Sequence, residues 1–150
     1  MRIRYKKTND KVITPNRANP SDAGLDVYYS GDETIYIAPL QNYIVPTGLI
    51  FEVPHGYYLD ASNRGSMAGK QSLITGAHVI DSGYSGEVFI DLHNIGLHTR
   101  TIEPGQKIAQ LVMLPVISFI PEEVSSSTEF YNTPMTISNR GEGSLGSTGG

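Results

Sequence analysis

The sequence predicts an all-β domain, a sandwich or barrel of short strands. Three observations carry that expectation. Apolar residues alternate with polar ones over short stretches, turn residues interrupt the chain about every 5 to 10 residues, and no apolar stripe of helical period runs for any length. With 150 residues, 39% of them hydrophobic and 17% charged, the chain suffices for one packed domain and is too short for two ordinary ones. Its 16 glycines and 9 prolines exceed average usage without reaching low-complexity levels, so the excess reads as turns.

The elements follow in chain order. Ile35 and Ile37 flank Tyr36 with strand spacing. Gly31-Asp32, Pro39, Pro46, Pro54 and Gly56 then punctuate the first half, and Ser82-Gly83, Pro104-Gly105 and Pro121 the second. One short helix is predicted around Ser66 to Gln71. Val88, Ile90 and Leu92 share one strand face, with Phe89, Asp91 and His93 on the other. Lys107 to Ile120 reads as the longest strand pair, and Pro115 marks a break or an edge position. After Pro121, Glu122, Glu123 and the run Ser125-Ser126-Ser127 bring few large apolar groups, so the division is a β domain over 1–124 and a linker with a glycine-rich arm over 125–150.

Composition excludes several chemistries. There is no cysteine, which removes a disulfide scaffold, a Cys-ligated zinc or iron–sulfur site and a thiol nucleophile, and fits a non-secreted protein. The longest apolar stretch, Leu111 to Ile120, is broken by Pro115 and Ser118 and is roughly half the length of a membrane helix. The basic start Met1 to Lys7 runs into polar sequence with no apolar core, so no secretion signal is expected and the location is read as cytoplasmic or otherwise intracellular. A net charge of -4 argues against a broad surface for stable nucleic-acid binding; phosphates would be bound locally, with a divalent cation. The histidines at 55, 78, 93 and 98 lack metal-ligand spacing.

Five segments can carry chemistry. In Ala23-Gly24-Leu25-Asp26 the carboxylate stands at a strand start and reads on its own as solvated or turn-capping. Asn63 to Lys70 puts Arg64 and small hydrogen-bonding residues at a strand-to-helix junction, either an anion site or an ordinary basic loop. Gly76 to Gly86 reads as a hairpin whose tip presents Asp81 with Tyr84, a carboxylate that can serve as a general base beside a ring that can stack on a sugar. Gly105 to Leu111 opens a strand and places Lys107 and Gln110 on opposite faces. The tail from Arg140 to Gly150 is either a free terminus or a backbone cradle for phosphate, with Arg140, Ser147 and Thr148 as side-chain donors.

In this order the segments resemble the trimeric dUTPase family, whose five short motifs have counterparts in Ala23 to Tyr28, Arg64 to Lys70, Gly76 to Gly86, Gly105 to Leu111 and Arg140 to Gly149. Lys70 and Asp81 are eleven residues apart, as in many members. The resemblance implies a jelly-roll-like β-clip subunit, a homotrimer whose active sites are shared between chains, and magnesium-dependent hydrolysis of dUTP to dUMP and pyrophosphate. It implies that Asp81 orients and deprotonates the attacking water and that Tyr84 packs beneath the deoxyribose. Gly76, Ala77, His78 and Val79 would meet the uracil edge, with Leu145 covering the base. Arg64, Gly65, Ser66 and Gln110 would hold phosphates, together with Arg140, Gly146, Ser147 and Thr148 of the closing arm. Asp26 would reach Mg2+ through water.

Four residues depart from the family pattern: Gly65 stands where a serine is usual, His78 where a glycine is common, Gly83 in place of an acid, and Leu145 in place of an aromatic. Leu145 is expected to give weaker closure, and His78 to project beside the base pocket. Two alternatives remain: a dCTP deaminase-like enzyme of the same fold, disfavoured by the run Val79 to Tyr84, and a weakly catalytic dUTPase-like regulatory protein.

Overall fold

The structure, a computed structural model, describes residues 1–125. Met1–Ser118 forms one compact unit. The described residues are nearly all strand and turn. Eleven strands appear among them: β1 (Arg4–Lys7), β2 (Leu25–Tyr28), β3 (Ile35–Ile37), β4 (Asn42–Pro46), β5 (Leu49–Glu52), β6 (Tyr57–Ser62), β7 (Leu73–Thr75), β8 (Val79–Ile80), β9 (Phe89–Asn94), β10 (Arg100–Ile102) and β11 (Lys107–Pro115). They pair antiparallel in four small sheets, ordered β2-β11-β6-β8, β4-β9-β7, β1-β5 and β10-β3. Most neighbours are distant in sequence, so the fold is closed by crossovers, as in jelly-roll-like architectures.

The alternation read from the sequence is the alternation that packs. Ile35 and Ile37 are buried around an exposed Tyr36, and Val88, Ile90 and Leu92 are buried while Phe89, Asp91 and His93 face outward. Leu49, Phe51, Leu59 and Leu111 complete the same core from the other sheets. The expected helix is a five-residue π-helical turn, Ser66–Lys70, ended by Ser72 at φ 55. Buried Met67 pins this turn to the core, and the Gln106 amide reaches its sulfur at 3.6 Å.

Three expectations are corrected. Lys107 to Ile120 is not a strand pair: β11 runs nine residues to Pro115, and the chain then leaves the sheet. Pro115 does sit at an edge, since β2 covers β11 only from Lys107 to Leu111 and β6 alone is its partner there. Gly76 to Gly86 is not a hairpin, because β8 pairs with β6 while β9 pairs with β4 and β7. Lys107 and Gln110 do not fall on opposite sides. A β-bulge between Lys107 and Ala109 inserts one residue, so that Ile108 and Ala109 are buried in succession and the period-2 count slips by one.

The turn after β8 uses Gly83 for its backbone. The Tyr84 N–H donates to the Asp81 carbonyl at 3.2 Å, and Gly83 holds φ 84 in the third position of that turn. A methyl group there would meet open space, so Gly83→Ala carries only the left-handed backbone strain, about 1 kcal/mol. A thermal melt is expected to fall by about 2–4 °C with the fold kept; an unchanged melting temperature would show the turn relaxes freely.

Candidate active site

Two clefts hold Asp26, Arg64, Gly65 and Gln110 on the one hand and Ala77, Val79, Asp81 and Tyr84 on the other, and they share no lining residue. The first, about 210 Å³, is lined by Ala77, Val79, Asp81 and Tyr84 together with Glu87 and Phe89. The β6–β8 pairing supplies its floor through Ala61. Asp81 follows directly on β8, and the turn closed by Tyr84 lifts its exposed carboxylate to the rim. The Tyr84 hydroxyl donates to the Glu87 carbonyl at 2.8 Å, which lays the ring over Gly86. A Cβ at Gly86 would lie 2.5 Å from that hydroxyl oxygen, so the ring sits directly on backbone.

The segment that leads into this cleft is tied down from β9. The Gly76 N–H donates to the Asp91 carbonyl at 2.8 Å, and the Ala77 N–H to Asp91 Oδ2 at 3.2 Å. A Cβ at Gly76 would lie 2.4 Å from both Asp91 Oδ2 and His93 Nε2, so any larger residue would have to displace the Asp91 and His93 side chains. Burial pushes the Asp91 carboxyl up, but hydrogen bonds from Asn42, His93 and Ala77 outweigh it and hold the group below the ordinary carboxylate range. His78 does not project into the cleft of Asp81 and Tyr84. Its ring turns to Asp60 and lines a neighbouring cleft with Ser62, Asn63 and Thr75.

The second cleft, about 200 Å³, brings together Asp26, Arg64, Gly65 and Gln110 with Ala18, Asp22 and Gly24. Asp26 is not solvated. It is 8% exposed, its Oδ1 lies 2.9 Å from Arg64 Nε, and its Oδ2 lies 2.8 Å from Lys107 Nζ. The bulge in β11 is what returns Lys107 to this carboxylate, while Gln110 stands opposite Asp26 in the β2–β11 register. The hydrogen bond to Asp26 raises the Lys107 ammonium above the ordinary lysine range, against a smaller desolvation cost. Gln110 Nε2 donates to the Asn63 carbonyl at 2.9 Å, and Asn63 Oδ1 accepts the Thr75 N–H at 2.7 Å. The loop carrying Arg64 is thus held from both sides. Ser66 is exposed at the start of the π-helical turn and lies outside this lining.

Asp22, Lys107, Asp60, Asp91 and Glu87 complete the surroundings; of these the sequence points only to Lys107, and to the wrong face. The bulge conceals the side on which Lys107 falls, and Asp60, Asp91 and Glu87 depend on contacts distant in sequence. Leu145 and the expected phosphate contacts Arg140, Gly146, Ser147 and Thr148 lie outside the described residues. Among the described residues no three His, Asp or Glu side chains cluster to hold a metal directly, and no helix is long and apolar enough to cross a membrane.

The chain matches the family model described as dUTPase over residues 10–149. It is 34% identical over 151 residues to the deoxyuridine 5'-triphosphate nucleotidohydrolase of Clostridium novyi (strain NT), covering 99% of each chain. It is 35% identical over 137 residues to the same-named protein of Anaplasma marginale (strain St. Maries), covering 90% of this chain and 88% of that one. Among solved structures it is similar to a Staphylococcus bacteriophage 80alpha dUTPase mutant with dUpNHpp, with a TM-score of 0.84 at 24% identity over 99% of both chains. A phage phi11 dUTPase mutant from S. aureus, described with a structural Mg(II) ion, superposes with a TM-score of 0.76 at 22% identity, over 84% of this chain and 98% of that one.

Proposed function

The chain belongs to the dUTPase family, and from that premise we propose that it hydrolyses dUTP to dUMP and pyrophosphate with Asp81 as the base that activates water. The observation that carries the reading is the meeting of Asp81 and Tyr84 with Ala77 and Val79 in one cleft. Uracil meets the Gly76 to Val79 segment through backbone groups other than those bonded to Asp91 and Ala61, and a backbone edge of this kind discriminates uracil from cytosine by its donor and acceptor order. The deoxyribose packs on the Tyr84 ring. That ring is fixed by the bond to Glu87, so a 2'-hydroxyl finds no room and no partner.

The phosphates belong to the other cleft. Arg64, steered by Asp26, presents a guanidinium, with Gly65, Ser66 and Gln110 around it. Arg64 and Asp81 line different clefts of one chain, an arrangement compatible with the homotrimer typical of the family, in which neighbours supply the two halves of each site. Exposed Ile44, Val79 and Phe89 fit burial between subunits. The arm over 125–150 closes on the bound nucleotide, with Arg140, Gly146, Ser147 and Thr148 adding phosphate donors and Leu145 covering the base.

The donor set fits magnesium in one manner only. Both Asp26 oxygens already face cations, so this carboxylate suits a hydrated ion carried by the phosphates and reached through water, not direct ligation. Bound in that way, Mg2+ supplies charge neutralisation on the triphosphate. An acidic chain then needs only a few local cations to hold dUTP. The absence of cysteine agrees with work inside the cell.

Pyrophosphate release from dUTP, dCTP, dTTP and UTP, each with and without magnesium, tests the reading. Turnover of dUTP alone, dependent on magnesium, is expected. Ammonia from dCTP would establish the deaminase instead, and background turnover with nucleotide binding intact would establish the regulatory protein.

A further inference from the structure

We propose that the His78 side chain is a positioning group for base recognition: clasped by Asp60, it holds the Ala77 to Val79 backbone in the geometry that reads uracil, while the imidazole itself does not touch the nucleotide. The inference rests on the reading above that this backbone meets the base. β8 is only two residues long and lies at the edge of its sheet, paired with β6 through Leu59–Ile80 and Asp60–Val79. So short a ladder leaves the preceding residues in need of other anchors. Asp91 provides one at Gly76 and Ala77. At the next position the Ala61 N–H donates to the His78 carbonyl at 2.8 Å, and His78 Nδ1–H donates to Asp60 Oδ1 at 2.6 Å.

Asp60 is built to receive that ring. Its second oxygen accepts the Ser62 hydroxyl. That bond, opposed by burial and joined by His78, holds the Asp60 carboxyl below the ordinary range, so an ionised acceptor faces the imidazole. Ser62, Asn63 and Thr75 are the other polar side chains lining this cleft, and Asp60 is the charged group among them. Of the residues lining it, only Ala61 also lines the cleft of Asp81 and Tyr84. His78 therefore acts on the nucleotide through its own backbone. A glycine at this position, as the family pattern has it, has no side chain to make the clasp.

Asp81 is anchored independently. Ile80 pairs with Leu59, the Ser82 hydroxyl donates to the Val53 carbonyl at 3.2 Å, and Tyr84 closes the turn on Asp81. Loosening the clasp thus moves the base reader and spares the attacking carboxylate. The base is bound alike in the ground state and at the transition state, so the loss should appear in KM and not in kcat.

The experiment compares the full-length wild type with His78→Gly, Asp60→Ala, the double variant and His78→Gln. Steady-state dUTP hydrolysis is measured, together with inhibition by dUMP and by pyrophosphate. His78→Gly and Asp60→Ala are each expected to raise KM about tenfold with kcat within about twofold, and the double variant to be no worse than either, because both remove one contact. The dUMP inhibition constant should rise by the same factor while that of pyrophosphate stays put, which general destabilisation would not produce. His78→Gln, which keeps a donor, should recover most of the affinity. Unchanged KM in both single variants, additive effects, or equal weakening of dUMP and pyrophosphate would overturn the clasp. A variant that does not fold would also overturn it, by showing His78 or Asp60 to be structural, unless His78→Gln folds and gives the selective dUMP effect in milder form. A wild type inactive on dUTP would sink the functional reading itself, before any variant is compared.

Discussion

Asp81→Asn is expected to lower kcat for dUTP by about 10²–10⁴-fold while dUTP binding is kept. The amide matches the carboxylate in size and leaves the turn intact, because the bond that closes it runs from the Tyr84 N–H to the Asp81 backbone carbonyl. Ser82 and Ile80 keep their own anchors. What disappears is the capacity to accept a proton from water. Single-turnover pyrophosphate release beside equilibrium binding of dUTP separates these effects, and a rate equal to wild type would remove Asp81 from the role of base.

The second large effect is expected at Asp26→Asn, which should lower kcat/KM by on the order of 10²-fold and stability by about 1–3 kcal/mol. The carboxylate lies between Arg64 and Lys107 and is bonded to both. Neutralised, it leaves two cations facing each other with no anion between them, and the guanidinium loses the partner that aims it into the cleft. Breaking a fully buried pair costs more, but the Arg64 and Lys107 side chains are 25% and 34% exposed, so water offsets part of the loss. Melting temperature and kcat/KM are read on the same preparation. If both match the wild type, Asp26 neither holds the loop nor steers Arg64.

Much of the core was legible because strand burial has a period of two. Ile35, Ile37, Val88, Ile90 and Leu92 could be placed on the inner face from spacing alone, and the structure buries all five. The same rule failed at Lys107 and Gln110, where the bulge in β11 resets the count. It also failed around β8: a two-residue strand followed by a tight turn looks like half a hairpin, and only partners elsewhere in the chain reveal that it pairs with β6. The segments of the candidate site were visible as motifs, but the motifs did not tell which way a side chain turns. His78 is the clearest instance: the motif puts it beside the base pocket, and only the fold shows that its ring turns to Asp60 on β6.

Local order thus followed from the chain itself, since side-chain alternation, turn glycines and the short motif segments depend on neighbours a few residues apart. The company each functional group keeps did not. Asp26 lies in sequence 38 residues from Arg64 and 81 from Lys107, yet touches both. No local pattern encodes that meeting, because it arises when β11 lies down beside β2 with one residue out of register. Folding turned a carboxylate that reads on its own as solvated into the buried anion that organises the cations around it.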